Sequence, residues 1–347
     1  MRHRAYKYLL AYLTPAVVLF SLLSYGIWSY SALILLFGIL PFIELFTKGS
    51  THNLTKLEEE VAREDRFYDY ILYSLVVIHL FLVSIFLASI SNPYIVRYER
   101  IGHTIALGLS CGILGINVAH ELGHRSTPYE QMFSKLLLLT SLYMHFFIEH
   151  NRGHHRNVST DEDPASSRLG EPIYTFYLRT IWGSWCSAWK LEADRLRNKK
   201  QSPWSWQNEM LQFQLIQLAF LTAIALFYGF AALGWFLVSA SIGILLLETV
   251  NYIEHYGLRR AKKEGRYERV LPTHSWNSNH PIGRLVLLEL TRHSDHHYIA
   301  SRKYQLLRHF DNSPQMPTGY PGMMLLALIP PLWFKVMHSE IKKQLGV

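Results

Sequence analysis

The chain has 347 residues, of which 50% are hydrophobic and only 17% are charged, and its formal net charge is +8. This composition excludes an ordinary soluble protein. Nucleic acid is a poor explanation for the charge, and anionic lipid headgroups or an acidic protein partner fit it better.

Six apolar segments approach the roughly 20 residues that a membrane-spanning helix requires. The sequence therefore predicts an all-α integral membrane protein with one domain over residues 1–347. The first segment has a basic flank but no small-residue cleavage site after it, so we interpret it as a retained span. The predicted spans are Tyr8–Trp28, Tyr30–Phe46, Tyr70–Ile90, Ile101–Ala119, Leu211–Leu233 and Gly234–Ile253.

The distribution of lysine and arginine predicts the orientation of these spans. With a cytoplasmic N-terminus, the outer connections hold only Arg97 and Arg100, which is the positive-inside pattern. We expect a multi-pass protein of the plasma (bacterial inner) membrane, with both termini and regions 120–210 and 254–347 in the cytoplasm. Segment Phe133–Ile148 is too short to span and is predicted as a helix in or under the bundle. Met323–Phe334 is predicted as interfacial.

Histidines cluster at the predicted inner ends of the spans, in four sequence groups. Imidazoles four residues apart on a helix share a face, and each ring carries polar nitrogens that need partners, so simple packing is a weak explanation. The predicted topology places all four groups on the same side of the membrane. Their nine histidines are His120 and His124 in "HELGH", His150, His154 and His155 in "EHNRGHH", His255 in "NYIEHYG", and His293, His296 and His297 in "RHSDHH".

Other polar residues beside these clusters are candidates for supporting roles. His274 and His280 in "THSWNSNH" are weaker ligand candidates. His79 lies about 14 Å above the inner end of its span, which is too deep for the same site. Acids next to the histidines are expected to accept imidazole N–H bonds, although any of them could bind a metal directly. The expected supporting residues are Asn117, Glu121, Glu149, Glu248, Asn251, Glu254 and Asp295.

Two metal chemistries compete for this pattern. "HELGH" satisfies HExxH, so a membrane zinc hydrolase would use His120 and His124 as ligands and Glu121 as base. A catalytic zinc needs only three protein ligands, however, whereas nine neutral imidazoles suit two metals with four or five nitrogens each. Imidazole alone is compatible with iron, zinc, copper or nickel.

At these residues the chain resembles the integral-membrane alkane hydroxylase family (alkane 1-monooxygenase), within the membrane di-iron hydroxylases and desaturases. The motifs that carry the resemblance are "HELGH", "EHNRGHH…EDPASSRLGE", "NYIEHYG" and "RHSDHH", and it extends over nearly the whole chain. It implies six spans and a cytoplasm-facing centre of two non-haem irons held by the nine histidines. No other catalytic group and no bound flavin or haem is expected.

The resemblance further implies O₂-dependent terminal hydroxylation of medium- or long-chain n-alkanes to primary alcohols. Because no rubredoxin-like CxxC pair is fused to the chain, electrons are expected from separate rubredoxin and rubredoxin reductase. The alternatives are hydroxylation of alkyl-aromatic or other hydrophobic substrates, the zinc hydrolase, and a non-catalytic lipid- or metal-binding membrane protein.

Overall fold

The computed structural model describes residues 5–345, and most of them are helical. The termini predicted to be cytoplasmic lie outside this range. Two short antiparallel strands, Lys262–Lys263 and Arg266–Tyr267, form a small hairpin. The α-helices are Leu13–Leu23, Ser31–Leu33, Leu40–Glu44, Lys56–Glu64, Phe67–Ile90, Arg97–Ser110, Asn117–Gly123, Pro128–Thr140, Phe146–Glu149, His155–Asn157, Ile173–Asn198, Glu209–His255, Pro281–Val286, His293–Tyr298, Tyr320–Ala327 and Pro330–Leu345. The 3₁₀ segments are Tyr6–Tyr12, Gly26–Tyr30, Pro272–His274 and Tyr304–Leu306, and the π-helical segments are Ile34–Ile39, Cys111–Ile116 and His150–His154.

Among residues 5–345, five continuous helical elements are long and apolar enough to cross a membrane. The chain is thus a membrane protein, and the first four elements match the first four predicted spans to within a few residues. The fifth element contains both of the last two predicted spans. The five elements are Tyr6–Leu23, Gly26–Glu44, Phe67–Ile90, Arg97–Gly123 and Glu209–His255.

The longest element, Glu209–His255, is a helical hairpin. Gly229 has φ 85° and ψ 164°, a conformation that glycine adopts without steric cost and that breaks the helix. The rings of Phe220 and Phe236 are 5.5 Å apart, whereas 16 residues of straight helix would separate them by about 24 Å. The predicted boundary between Leu233 and Gly234 is therefore corrected to Gly229.

Glycines bring the fourth membrane element close to the returning arm of this hairpin. A Cβ atom on Gly108 would lie 2.6 Å from Ile242, and one on Gly243 would lie 2.6 Å from Cys111. Such approach is typical of small-residue faces between membrane helices. Gly108 and Gly243 thus serve close packing, and Gly112, in the same membrane element as Gly108, also lines a cavity described below.

The predicted helix over Phe133–Ile148 is interrupted. Helix Pro128–Thr140 ends in a Schellman arrangement, in which the amide of Tyr143 donates to Leu138 O and that of Leu142 donates to Leu139 O. Leu142 has φ 54°, in the left-handed region where glycine is usual, so the sequence carries no stop signal. Below the break, the chain starts again at Phe146 in the direction that leads to the histidines.

The C-terminal helices pack against the end of the hairpin instead of only covering the membrane surface. Trp333 is fully buried, and its ring lies 5.3 Å from those of Tyr252 and Tyr256. Leu328 and Ile329, between the two helices, are exposed. The predicted interfacial segment is thus one face of a helix pair that supports the region around His255.

Candidate metal centre

The structure brings all nine clustered histidines together, and it divides them into two groups. In each group, one nitrogen from every ring lies within 4.8 Å of the others. The first group contains His120, His124, His150, His155 and His296, and the second contains His154, His255, His293 and His297.

The separations between facing nitrogens match those expected between neighbouring ligands of one metal ion. In the first group, Nε2 of His120 is 2.8 Å from that of His296, and Nε2 of His155 is 3.0 Å from that of His150. In the second group, the corresponding distance between His154 and His297 is 3.2 Å. Two nitrogens about 2.1 Å from a metal and 90° apart would be about 3.0 Å apart.

Burial reinforces this fit, because it keeps most of the rings neutral. Burial, aided by neighbouring imidazoles, lowers the pKa of His150, His155 and His296 well below the usual value and that of His124 to about 3. A neutral imidazole has one N–H and one lone pair. Several lone pairs that converge in a buried space are unfavourable without a cation between them, so the residues fit a bound metal in each group.

The π-helical turn explains how "EHNRGHH" supplies ligands to both groups. In an α-helix, His150 and His154 would share a face, as the sequence suggested. The turn over His150–His154 instead follows i→i+5 spacing, so His150 faces His155, and His154 points into the other group. The motif therefore contributes ligands to both groups, although four-residue spacing alone would place His150 and His154 on one face.

Helix His293–Tyr298 divides its histidines in a similar way. His293 and His297, four residues apart, face the second group, while His296 faces the first. His120 and His124, also four residues apart at the end of the fourth membrane element, both face the first. One short helix therefore joins the two groups rigidly.

The weaker histidine candidates lie outside both groups. His274 Nε2 is 3.2 Å from Glu268 Oε1, and its Nδ1 accepts from the Leu271 amide. His280 Nδ1 is 3.1 Å from Ser278 Oγ. The structure therefore does not support either as a ligand. His79, as expected, is elsewhere, with its nitrogens 2.9 Å from Ser110 Oγ and 2.8 Å from Thr140 Oγ1.

Two acids expected to accept imidazole N–H bonds are engaged by cations instead. Glu121 Oε1 accepts from Arg125 at 2.7 Å. Both carboxylate oxygens of Asp295 accept from Arg302, at 2.8 and 2.6 Å. These acids hold the backbone around the histidines through ion pairs, because a buried carboxylate is stabilised most by a paired cation.

Three further polar residues of the expected set also point elsewhere. Glu248 accepts from Tyr143 at 2.8 Å and from Asn251 at 3.1 Å. Asn117 donates to the backbone oxygen of Leu287 at 3.0 Å. Their hydrogen bonds join segments around the site and do not orient an imidazole.

Glu149 also orients no imidazole ring through a hydrogen bond, and its carboxyl group lies close to the backbone of Gly153. Its Oε1 is 3.4 Å from Ser187 Oγ, and a Cβ on Gly153 would lie 2.6 Å from it. Burial raises the pKa of Glu149 to about 8, and the nearby Asp163 carboxylate adds to that increase. Only glycine at 153 leaves room for this carboxyl group under the π-helical turn.

The residue that does orient an imidazole is one that the residue-by-residue reasoning missed. Asp163 Oδ2 is 2.9 Å from His154 Nδ1 and accepts from Ser166 Oγ at 2.5 Å. Burial alone would lower the pKa of His154, but this carboxylate, aided by the charges of Glu149 and Glu248, makes the net shift upward. The available signal was "EDPASS", which directly follows the second histidine motif.

Glu254 was expected either to accept an imidazole N–H bond or to bind a metal directly. Its Oε2 is 3.1 Å from Nε2 of His293, the nitrogen that faces the second group, and its Oε1 accepts from Tyr320 at 2.8 Å. It is therefore placed to contact whatever the second group holds, rather than to orient a ring from behind.

An apolar cavity reaches both groups from the membrane-embedded part of the protein. The cavity is narrow, with a volume of about 80 Å³. His120 and His150 of the first group and His293 of the second reach its wall. The remaining lining is mostly aliphatic and includes Leu36, Phe37, Ile113, Ile116, Leu246 and Val250.

Sequence comparisons relate this arrangement to known proteins. The profile of the fatty acid desaturase family matches residues 101–338. Alkane 1-monooxygenase 1 of Pseudomonas aeruginosa is 41% identical over 321 residues, covering 91% of this chain and 83% of that protein. Alkane 1-monooxygenase 1 of Alcanivorax borkumensis is 41% identical over 335 residues, covering 94% and 81%. The hydroxylase component of the Pseudomonas putida xylene/toluene monooxygenase is 34% identical over 239 residues, covering 68% and 63%.

Proposed function

The chain belongs to the fatty acid desaturase family and, within it, to the alkane 1-monooxygenases, and from this premise we propose that it converts medium- or long-chain n-alkanes to primary alcohols. The observation that carries the proposal is the narrow aliphatic cavity that ends at both histidine groups. A linear chain fits such a cavity, and its terminal carbon would be the part that reaches the histidines.

We further propose that the nine histidines hold two non-haem irons, five rings at one and four at the other. When bound, the pair would supply the activation of O₂. The nitrogen separations and the burial of the rings support two ions, as does membership of a family with this chemistry. The protein's own part is to fix the rings through ion pairs and Asp163, and to keep water from the cavity.

The cavity also indicates how substrate arrives. Its walls come from the second and fourth membrane elements and from the hairpin, through Leu40, Ile116 and Leu247. Alkanes partition into the bilayer, and entry between these helices would avoid passage through water. An apolar lining then favours the unreacted alkane over its more polar product, and it limits side reactions with water.

For electrons, we propose separate rubredoxin and rubredoxin reductase, acting from a cytoplasmic face of the bacterial inner membrane. Near the histidine-bearing ends of the membrane elements, the sequence is rich in lysine and arginine, including the segments "RLRNKK" and "RRAKKEGRYER". A basic surface would attract an acidic carrier and accelerate its association. The orientation follows from the positive-inside distribution.

Product analysis with a reconstituted electron chain tests the function. Purified protein loaded with iron should convert a series of n-alkanes to 1-alkanols in a reaction that needs both O₂ and reduced rubredoxin. Metal analysis should find two irons per chain. The alkane assignment would be contradicted if the protein, supplied with reduced rubredoxin, formed no alcohol from any alkane but oxidised another substrate.

The resemblance to the xylene/toluene hydroxylase component keeps alkyl-aromatic substrates as a second candidate. Its shorter coverage favours it less, and the same assay with alkyl benzenes measures the preference. The zinc hydrolase loses its base, because Glu121 is held by Arg125 and by the amide of Tyr304 at 3.2 Å. A non-catalytic role does not agree with membership of a monooxygenase family.

A further inference from the structure

An extended segment beside the second histidine group carries buried polar side chains with unpartnered atoms. Along residues 275–279, the Trp276 and Ser278 amides donate to one side, to Glu254 O and Thr291 O, and the Asn277 amide donates to the other. Side chains therefore alternate, with Ser275, Asn277 and Asn279 on one face. This segment is "SWNSN" of the motif in which His280 was a ligand candidate.

Each of these three side chains has a buried polar atom without a hydrogen-bond partner among the residues that the structure describes. The atoms are Ser275 Oγ, Asn277 Nδ2 and Asn279 Oδ1. The residues are 0%, 0% and 7% exposed, so bulk solvent does not reach them. Leaving such an atom without a partner is unfavourable, and buried water is the usual remedy.

The middle of this polar face meets the histidine site. Asn277 Oδ1 accepts from Ser294 Oγ at 3.2 Å. Ser294 directly follows His293, whose Nδ1 is likewise buried and unpartnered within residues 5–345. A water between these groups would have the several polar neighbours that an ordered buried water needs.

The outer end of the same face meets solvent. Asn279 Nδ2 is 3.0 Å from His309 Nδ1, and His309 Nε2 is 3.2 Å from Asp311 Oδ1. The Asp311 side chain is fully exposed. Polar groups thus continue from the surface towards His293.

We propose that Ser275, Asn277 and Asn279 line a chain of buried waters that carries protons from Asp311 and His309 to the second histidine group. This inference rests on the proposed monooxygenase function. The overall reaction, RH + O₂ + 2e⁻ + 2H⁺ → ROH + H₂O, consumes two protons per turnover. The electron donor supplies the electrons, and the two protons must come from solvent.

Ser275→Ala separates this role from packing. The Ser275 hydroxyl has no hydrogen-bond partner within residues 5–345, so its removal should not destabilise the fold or reduce the metal content. If it holds a water of the chain, alcohol formed per electron pair should fall about tenfold, with the electrons appearing as hydrogen peroxide, and the solvent deuterium isotope effect should rise.

Ser278→Ala is the matched control, because it lies on the opposite face of the same segment. Its hydroxyl contacts His280 Nδ1 at 3.1 Å and Thr318 O at 3.3 Å, so this variant loses real hydrogen bonds. It should nevertheless keep the wild-type coupling and isotope effect. His309→Phe at the outer end should reproduce the Ser275→Ala defect.

A high-resolution cryo-EM map of the iron-loaded protein gives a test that does not depend on activity. Waters should lie within hydrogen-bond distance of Ser275 Oγ, Asn277 Nδ2 and His293 Nδ1. A dry segment, or a fully coupled Ser275→Ala variant of an enzyme that makes alcohol, would overturn the water chain alone. Wild-type protein that makes no alcohol would instead overturn the proposed function, and the map would still decide on the waters.

Discussion

The two histidine groups are built from the same side chain but differ in what surrounds them. The first has five imidazoles, and two of its members, His124 and His155, are only partly buried. The second has four, all buried, with Asp163 against His154 and Glu254 against His293. A metal held by neutral ligands keeps its charge, and nearby carboxylates offset it. We therefore expect the additional imidazole to stabilise an ion bound in the first group, and the carboxylates to stabilise an ion bound in the second group.

The largest effect should come from removing one ligand in each group. His255→Ala and His124→Ala should each bind about one iron per chain instead of two, and both should lose at least about 100-fold in activity, because neither ion alone completes the proposed centre. Metal analysis beside the alcohol assay checks this. Full activity in His255→Ala would remove the second group from the mechanism.

Asp163→Ala should be the next largest. It removes the acceptor for His154 Nδ1, and loss of such a partner typically costs about 10–100-fold in metal affinity or activity. Asp163→Asn keeps an acceptor oxygen without the charge, so it separates orientation from charge. If Asn restores the metal affinity, the carboxylate acts mainly by fixing the ring, which would weaken the charge argument for the second group.

The difference in burial predicts the order of metal loss. A chelator should remove the ion of the first group several-fold faster, because His124 and His155 are partly accessible and all rings of the second group are buried. A time course should pass through a form with one iron per chain, and adding Asp163→Ala should reduce the gap. Simultaneous loss of both ions would show that the groups do not behave independently.

Much of this architecture could be predicted from the sequence. Hydropathy located the first four membrane elements because long apolar runs have few alternatives to helices in lipid. Histidine motifs located all nine rings because imidazole is costly at a membrane boundary without a ligand. Both signals depend on side-chain chemistry alone, which the sequence states directly.

Irregular backbone conformations account for part of what the sequence did not reveal. The π-helical turn that separates His150 from His154, and the left-handed Leu142, have no residue signature. The helix breaks at Gly229, five residues before the predicted boundary, and hydropathy did not reveal the break because apolar residues continue on both sides of it. The partners of acids also depend on distant segments, so the roles of Asp295 and Asp163 were set by tertiary contacts that adjacency to histidine did not predict.

The smallest effect isolates the carboxylate of the second group. Tyr320→Phe removes a 2.8 Å hydrogen bond to Glu254. The control is Tyr143→Phe, which removes a 2.8 Å hydrogen bond to Glu248, an acid that does not hydrogen-bond to an imidazole. Both variants leave a buried acid with one donor fewer, so both should lose about 1–2 kcal/mol of stability. Only Tyr320→Phe should also change the visible spectrum of cobalt bound in the second group, because only Glu254 approaches a ring nitrogen that faces the metal. Identical spectra in the two variants would place Glu254 outside the metal's surroundings and leave the two groups distinguished by Asp163 alone.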